Sequence, residues 1–266
     1  MKTLTEFRNH CVCIIEAAQK GFEYEKNAAK FLKPLGLVPA NFNPAGAGHD
    51  TSDLLLTYNG KSSGCELKIK AASAGSLAIE YDAQKKAWKL VDFDPEDKEK
   101  QFLADMAEDI GIFSQIKKNW KEIPYRRIND PKWKETVGLI PKRNRYERDL
   151  STFPDIRGVI DASRIEDYYN SKDTYYVNIG THGFYLMGPS NPFKLKDVPR
   201  FGESANAGYR IRVQYKGDDS YQFVFELTFS VPSAKKSPFN IAPVDGVTVD
   251  IVEDQANLDC FPKLKT

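Results

Sequence analysis

Cysteine and histidine are scarce in this sequence of 266 residues, which contains four Cys and three His. Four scattered cysteines do not make the disulfide framework of a small secreted protein. Cys11 and Cys13 stand two positions apart on a predicted helix, so their side chains point in different directions and suit neither a disulfide nor a metal clamp. Buried apolar thiols fit this cysteine usage better than a zinc site that would include His10.

Long apolar runs are also absent, since no segment approaches the roughly 20 residues needed to cross a bilayer. The first ten residues, MKTLTEFRNH, are polar where a secretory signal needs an apolar centre. With 17 Gly, 15 Pro and 41% hydrophobic residues, the composition excludes collagen-like and disordered chains. We therefore expect a cytoplasmic protein with a packed core and no membrane contact.

Net charge is nearly absent as well, because 38 Lys and Arg oppose 37 Asp and Glu to give +1. The neutrality is a cancellation between two neighbouring segments. Residues 92–109 are strongly acidic, whereas residues 117–148 contain eleven Lys or Arg and four Asp or Glu. The overall charge therefore does not exclude a nucleic-acid partner.

The N-terminal third alternates helical and strand patterns. Thr3 and Glu6 have the spacing of a capping box at the start of a first helix, which Gly21 interrupts. Apolar residues at helical spacing then predict a second helix from Phe22 to Leu35. Strands over 54–58 and 64–71 surround Asn59-Gly60, a good hairpin signal, with Lys61 to Ser63 lengthening the connection.

The remaining chain changes from helical to β-rich. The patterns predict a hairpin over 77–81 and 87–93, helix over 95–120, and irregular structure with short helices over 123–154. They then predict β-structure over 175–231, including a hairpin of 209–215 and 221–229. A surface tail follows, with one strand near 247–252. We accordingly divide the chain into three segments. They are a core over 1–95, a helical and basic segment over 96–155, and a β-rich extension over 156–266.

The candidate catalytic residues lie around the first predicted hairpin. Asp53 directly precedes the apolar strand that begins at Leu54, and the next strand carries Glu66-Leu67-Lys68 with 12 residues between the two acids. Alternate residues of a strand share a face, so Glu66 and Lys68 project together. Two carboxylates at strand ends form an oxygen-rich site suited to Mg²⁺, and a nearby lysine can orient or activate a water. The alternative is a solvated hairpin whose carboxylates simply pair with lysines.

This pattern resembles that of the PD-(D/E)XK, or restriction-endonuclease-like, nucleases. In that group an acid begins one strand, a hairpin follows, and (D/E)-X-K lies on the next strand. Many members also carry a glutamate on a preceding helix, and Glu25 in Gly21-Phe-Glu-Tyr24-Glu25 is similar to it. Asp50 is a rival for the first acid and Glu23 for the helical one. The resemblance covers residues 20 to 93, and no Pro precedes Asp53.

The resemblance implies an α/β fold in which a restriction-endonuclease-like mixed β-sheet is flanked by helices, with a β-rich C-terminal part. It implies catalytic roles for Glu25, Asp53, Glu66 and Lys68. Asp53, Glu66 and Glu25 would bind Mg²⁺, with Mn²⁺ as a substitute. The implied activity is metal-dependent hydrolysis of phosphodiester bonds in double-stranded DNA by a homodimer of type II restriction-like character. Alternatives are a recombination or repair nuclease such as a junction resolvase, and a non-cleaving DNA-binding protein on the same scaffold.

The basic segment supplies a candidate DNA-contacting surface. Its cations alternate with aromatic residues, which suits phosphate contacts combined with packing against sugar or base. The candidate DNA-binding residues are Lys117, Lys118, Arg126, Arg127, Arg143, Arg145 and Arg148. A solvated face balanced by the acidic segment is the alternative interpretation.

Overall fold

The computed structural model describes residues 19–44, 52–70, 72–217, 220–245 and 248–265. The predicted N-terminal helix from Thr3, and the loop that carries His49 and Asp50, lie outside these ranges. The chain forms two compact units. Unit 1 comprises Met1–Ala72, Asp161–Ala207 and Phe229–Thr266, and unit 2 comprises Ser73–Ile160 and Gly208–Thr228.

The two units divide the chain at positions other than the predicted segments 1–95, 96–155 and 156–266. The cause is long-range strand pairing, because strands distant in sequence complete each sheet. The chain consequently passes from one unit to the other four times, at residues 72/73, 160/161, 207/208 and 228/229.

Unit 1 is built on a four-stranded sheet. Its strands are β1 (Leu54–Tyr58), β2 (Lys61–Lys68), β6 (Thr174–Ile179) and β7 (Gly183–Leu186), in the order β1-β2-β6-β7. β1 pairs with β2 and β6 with β7 in antiparallel fashion, whereas β2 and β6 are parallel. The prediction of a mixed sheet is therefore confirmed, and β2 lies inside the sheet, flanked on both sides.

The β1–β2 hairpin is tighter than predicted. Asn59 and Gly60 have φ angles of 51° and 73°, the positive values that a two-residue type I′ connection requires at both central positions. Tyr58 therefore pairs directly with Lys61. The prediction that Lys61 to Ser63 lengthen the connection is wrong, because the Asn-Gly pair alone closes the turn and those residues belong to β2.

Helix α1, described over residues 19–32, supplies the apolar layer over this sheet. Tyr24, Ala28 and Leu32 recur at helical spacing, are at most 1% exposed, and share a core cluster with Leu54 and Leu67. Contrary to prediction, Gly21 does not interrupt the described helix. One glycine destabilises a helix by about 1 kcal/mol, which is less than the stabilisation from burying this apolar face. Two further helices, α5 (Ser163–Asn170) and α6 (Phe201–Ser204), belong to unit 1.

The C-terminal tail is part of the core of unit 1 rather than a surface excursion. Ile241, Ala242 and Phe261 are fully buried in the cluster that contains α1 and β1. The predicted strand near 247–252 is reduced, within the described residues, to an isolated bridge between Val244 and Ile251. Short 3₁₀ turns occupy Ser233–Lys235, Glu253–Gln255 and Pro262–Lys265.

Unit 2 contains a five-stranded sheet and the remaining helices. The strands are β3 (Ala72–Asp82), β4 (Ala87–Leu90), β5 (Ile156–Ile160), β8 (Asn206–Gly217) and β9 (Ser220–Ser230), in the order β4-β3-β9-β8-β5. The helices are α2 (Lys98–Ile110), α3 (Ile112–Asn119) and α4 (Lys142–Thr152), with a 3₁₀ turn at Val137–Leu139. Both predicted hairpins form, and the helix predicted over 95–120 divides at Gly111, whose φ of 69° ends α2.

An aromatic cluster fills the core of unit 2. Trp88, Trp120, Phe153 and Phe223 contact one another with ring centroids 4.8 to 6.2 Å apart, mostly edge to face. Such pairs add stability beyond the area that they bury. In the part of the chain that the structure describes, no helix has both the length and the apolar character needed to span a bilayer.

Candidate active site

Strand β2 separates apolar from charged side chains. Cys65 and Leu67 pack into the core cluster that also contains α1, whereas Glu66 and Lys68 alternate with them along the strand. Glu66 is only 6% exposed, because β1 and β6 flank its strand on either side. A carboxylate so deeply placed needs a partner of opposite charge.

Asp53 lies at the end of β1, beside this pair. The register pairs Leu54 with Cys65, so Asp53 comes next to Glu66 across the hairpin. Asp53 Oδ2 accepts a hydrogen bond of 2.8 Å from the backbone N–H of Leu67 and lies 4.0 Å from Lys68 Nζ. Lys68 Nζ donates to Glu66 Oε1 at 2.5 Å. The structure therefore brings Asp53, Glu66 and Lys68 together as the sequence pattern predicts.

Close backbone packing fixes the position of Asp53. The preceding Ser52 hydroxyl lies 2.5 Å from the hydroxyl of Thr174 at the start of β6. Gly64 allows this approach, because a Cβ there would lie 2.0 Å from Ser52 Oγ and 2.9 Å from Thr174 Oγ1. Two strands therefore hold the segment that carries Asp53.

Glu25 joins the group from α1. Burial, followed by repulsion from Asp53, raises the pKa of the Glu25 carboxyl to about 7. The neighbouring Tyr24 fixes the rotation of the helix, since its hydroxyl donates to the Ala242 carbonyl at 2.6 Å and accepts from Asn178 Nδ2 at 3.0 Å. Glu23, the rival helical acid, is exposed. We call Glu25, Asp53, Glu66 and Lys68 the carboxylate site.

The carboxylate site carries an excess of negative charge. Burial and the nearby Glu66 raise the pKa of Asp53 to about 6. Burial alone would lower the pKa of Lys68, but Glu66 and Asp53 outweigh it and raise the Lys68 pKa above its ordinary value. Lys68 thus interacts with all three carboxylates, and an additional cation would relieve their mutual repulsion.

The donor set fits a hard divalent cation. Mg²⁺ prefers oxygen ligands and is usually held by one or two carboxylates together with water and substrate phosphates. Asp53 and Glu66 supply such a pair. Among the residues that the structure describes, no group of three or more His, Cys, Asp or Glu side chains could hold a metal ion. Asp53 and Glu66 therefore offer two carboxylates, and the remaining ligands of a cation would have to come from water or substrate.

Helix α5 contributes two residues that the sequence pattern does not reveal. Tyr169 is buried, and its hydroxyl donates to Glu66 Oε1 at 3.3 Å. Lys172, just after the helix, acts electrostatically on Asp53 to lower its pKa and lies 5.6 Å from the Tyr169 ring centre. Tyr169 is separated from Glu66 by 103 positions, so no local motif marks it.

The candidate DNA-binding residues all belong to unit 2. They differ in whether their side chains already bond to neighbouring residues. Arg127 donates to Asp130, Arg143 to Glu147, and Arg148 to the buried Asp149, each at 2.8 or 2.9 Å. Lys117 and Lys118 are exposed at the end of α3. Three of the predicted arginines therefore support local structure, while other cations of the segment face solvent.

No protein family and no curated protein matches this chain. Among solved structures, the chain is similar to HhaI endonuclease in complex with DNA, with 12% sequence identity. The likeness covers 91% of this chain and 95% of that one, at a TM-score of 0.38. A TM-score of this size does not establish a common fold.

Proposed function

We propose that the protein is a metal-dependent nuclease that hydrolyses phosphodiester bonds in double-stranded DNA through a site of the PD-(D/E)XK type. The observation that carries this proposal is the convergence of Asp53, Glu66 and Lys68 at the ends of two paired strands, with Lys68 contacting Glu66 and approaching Asp53. The raised pKa values of Asp53 and Glu25 support a site that is completed by a cation.

Each residue has a role that follows from its chemistry. Asp53 and Glu66 would hold Mg²⁺ or Mn²⁺, and the chemistry that such an ion supplies is charge neutralisation at the scissile phosphate and activation of a water. Lys68 provides positive charge and hydrogen-bond donors to the attacking water and the phosphate. Glu25 would hold a second ion or position that water. Tyr169 orients the Glu66 carboxylate through its hydrogen bond.

The finer description is a type II restriction-like endonuclease that acts as a homodimer, since a two-fold protein matches a palindromic duplex. Unit 2, which contains none of the four predicted catalytic residues, would be available for sequence recognition. A digest of defined genomic DNA tests this description. Discrete bands support a site-specific enzyme, whereas a smear or selective cleavage of branched DNA supports a processing or repair nuclease.

The activity itself is tested by incubating plasmid, single-stranded and branched DNA with Mg²⁺ or Mn²⁺. We expect Glu66→Gln and Lys68→Met each to lower the cleavage rate by at least about 100-fold, because each removes a charged group acting on the reacting phosphate. Glu253→Gln and Lys20→Met change exposed residues of unit 1 and serve as matched controls.

Two results would contradict the proposal. If the wild-type protein cleaves none of these substrates with either metal, it is not a nuclease, and DNA binding without cleavage would then favour a binding protein on this scaffold. If cleavage survives both Glu66→Gln and Lys68→Met, the activity belongs to other residues.

A further inference from the structure

A cavity of about 340 Å³ lies within unit 2, and its lining is dominated by positive charge. Four cationic residues and one acid contribute to the wall; they are Arg126, Arg127, Lys142, Arg145 and Glu80. The volume falls at the lower end of the range of roughly 300–1,000 Å³ that is common for small-molecule sites.

Two of these charges are already neutralised. Arg127 bonds to Asp130 and to the carbonyl of Pro124, and Glu80 pairs with Lys89 at 3.1 Å. The side chains of Arg126, Lys142 and Arg145, in contrast, have no hydrogen-bond acceptor and no ion-pair partner within the described ranges. The cavity therefore presents three cations whose charge is not balanced locally.

Arg145 is the most informative of the three. Its guanidinium stacks on the Trp133 ring at 4.8 Å, which orients the group, while its Nε is buried without a hydrogen-bond partner. A buried donor that lacks a partner is costly, and most native structures avoid one unless a ligand or solvent satisfies it. The orientation of Arg145 is therefore fixed while its hydrogen-bonding capacity is unused.

The start of α4 forms part of this wall. The helix begins at Lys142, and its N-cap residue, Pro141, provides no side-chain cap. The first backbone N–H groups of a helix lack intrahelical acceptors and carry partial positive charge, which favours an anion. Lys142, which lines the cavity, is the first residue of this turn.

Hydrogen bonds to one buried carboxylate link parts of the cavity wall. Asp149 is fully buried and accepts the backbone N–H groups of Tyr125 and Arg126, each at 2.9 Å. It also accepts the hydroxyl of Tyr221, another lining residue, at 2.7 Å. The segment that carries Arg126 is thus tied to α4 and β9, so little ordering is required on binding.

We propose that this cavity is a phosphate-binding pocket in which Arg126, Lys142 and Arg145 contact the anion. We call these three residues with Trp133 the cationic pocket. Phosphate suits them because it offers several anionic oxygens to guanidinium groups, which bind it in bidentate fashion. The phosphate can come from a nucleic-acid backbone or from a free phosphorylated molecule.

Binding is measured in metal-free buffer containing EDTA, so that the result does not depend on cleavage. In one arm, a fluorescent DNA duplex is titrated by anisotropy across a series of salt concentrations. We expect Arg126→Gln and Lys142→Gln each to raise the dissociation constant by about tenfold and to reduce the log–log salt slope by about one. In the other arm, inorganic phosphate and pyrophosphate are titrated at constant ionic strength, with the thermal midpoint as readout.

Matched controls are Arg157→Gln and Lys134→Gln, which alter exposed cations of unit 2 that do not line the cavity. Arg145→Gln is the third pocket variant. That change also removes the packing of Arg145 on Trp133. The double variant Arg126→Gln/Lys142→Gln retains Arg145 and therefore tests the pocket without disturbing this packing.

Weaker duplex binding by the pocket variants identifies the backbone as the source of the phosphate. A loss confined to phosphate and pyrophosphate identifies a free phosphorylated ligand. If neither arm distinguishes the pocket variants from the controls, the inference is wrong, even if the protein cleaves DNA through Glu66. If the pocket variants weaken phosphate or duplex binding but the wild-type protein cleaves no DNA, the nuclease proposal fails and the phosphate-binding proposal still holds.

Discussion

In the carboxylate site of unit 1, three carboxylates surround the ammonium group of Lys68. In unit 2, four cations line one cavity, Arg127 among them is already paired with Asp130, and Glu80, the one carboxylate among the described lining residues, already pairs with Lys89. Elsewhere the same units neutralise buried charge locally. Glu166, for example, accepts two guanidinium nitrogens of Arg200 and the backbone N–H of Gly202.

The contrast separates structural from functional charge. A buried carboxylate whose partners are all supplied by the chain, such as Glu166, needs nothing else and stabilises the local fold. Charge that remains unbalanced raises the free energy of the folded protein and persists where a ligand of opposite sign can compensate it. The cation proposed for the carboxylate site and the anion proposed for the cationic pocket would each supply the missing opposite charge.

The largest effect is expected from removing the residue that organises the cationic pocket. Asp149→Ala would leave the N–H groups of Tyr125 and Arg126, the Tyr221 hydroxyl and Arg148 without their buried acceptor. We expect the free energy of unfolding to fall by about 3–5 kcal/mol, as when one partner of a buried charge network is removed. Urea unfolding measures the change, and Asp92→Ala is the exposed control. A loss below about 1 kcal/mol would show that Asp149 does not hold this segment.

A smaller effect of opposite sign is expected in the carboxylate site. Without divalent cations, Asp53→Asn should increase the free energy of unfolding at pH 8 by on the order of 2 kcal/mol, because it replaces a carboxylate that is buried and repelled by Glu66 with a neutral group of the same shape. The pKa of Asp53 is raised to about 6, so the wild-type protein loses this stability as the pH rises through 6. The difference between variant and wild type should therefore shrink at pH 5.

Thermal unfolding across pH 5–8, with and without Mg²⁺, checks this prediction. Added Mg²⁺ should stabilise the wild-type protein at pH 8 and stabilise Asp53→Asn much less. Asp92→Asn, at a side chain that is 95% exposed, is the matched control. If Asp53→Asn is less stable than wild type at pH 8 without metal, the carboxylates of this site are not in repulsion.

The smallest effect concerns the orientation of Glu66. Tyr169→Phe removes the hydroxyl that donates to Glu66 Oε1 and leaves the aromatic packing in place. We expect cleavage to slow by about fivefold to tenfold, because a hydrogen bond as long as 3.3 Å contributes about 1 kcal/mol. Initial rates on plasmid DNA measure the effect, and Tyr175→Phe, whose hydroxyl bonds to Asp173 outside the site, is the control. Equal rates for the two variants would assign Tyr169 a packing role alone.

The parts of the site that sequence reasoning could predict are local. Asn59-Gly60 specifies the hairpin, and alternation along β2 separates Glu66 and Lys68 from the core, so Asp53 is brought beside them by hairpin register alone. Tyr24 and Leu32 likewise mark the buried face of α1 through helical spacing.

The parts that could not be predicted depend on distant pairing. β6 is adjacent to β2 although all of β3, β4 and β5 intervene in sequence, and this pairing is what allows α5 to place Tyr169 against Glu66. The candidate DNA-binding residues chosen from the sequence include Arg143 and leave out Lys142. Only the structure distinguishes Arg143, which bonds to Glu147, from Lys142, which lines the cavity.

Because the chain crosses between the two units four times, it also limits which fragments of the protein can fold alone. β8 and β9, from residues 206–230, are the middle strands of the unit 2 sheet, whereas β3, β4 and β5 come from an earlier stretch. A fragment ending at Ile160 would contain β3 and β5 without the two strands that join them. Neither the carboxylate site nor the cationic pocket can therefore be expressed as a folded contiguous fragment, and exchange of either with another protein would require transfer of several segments at once.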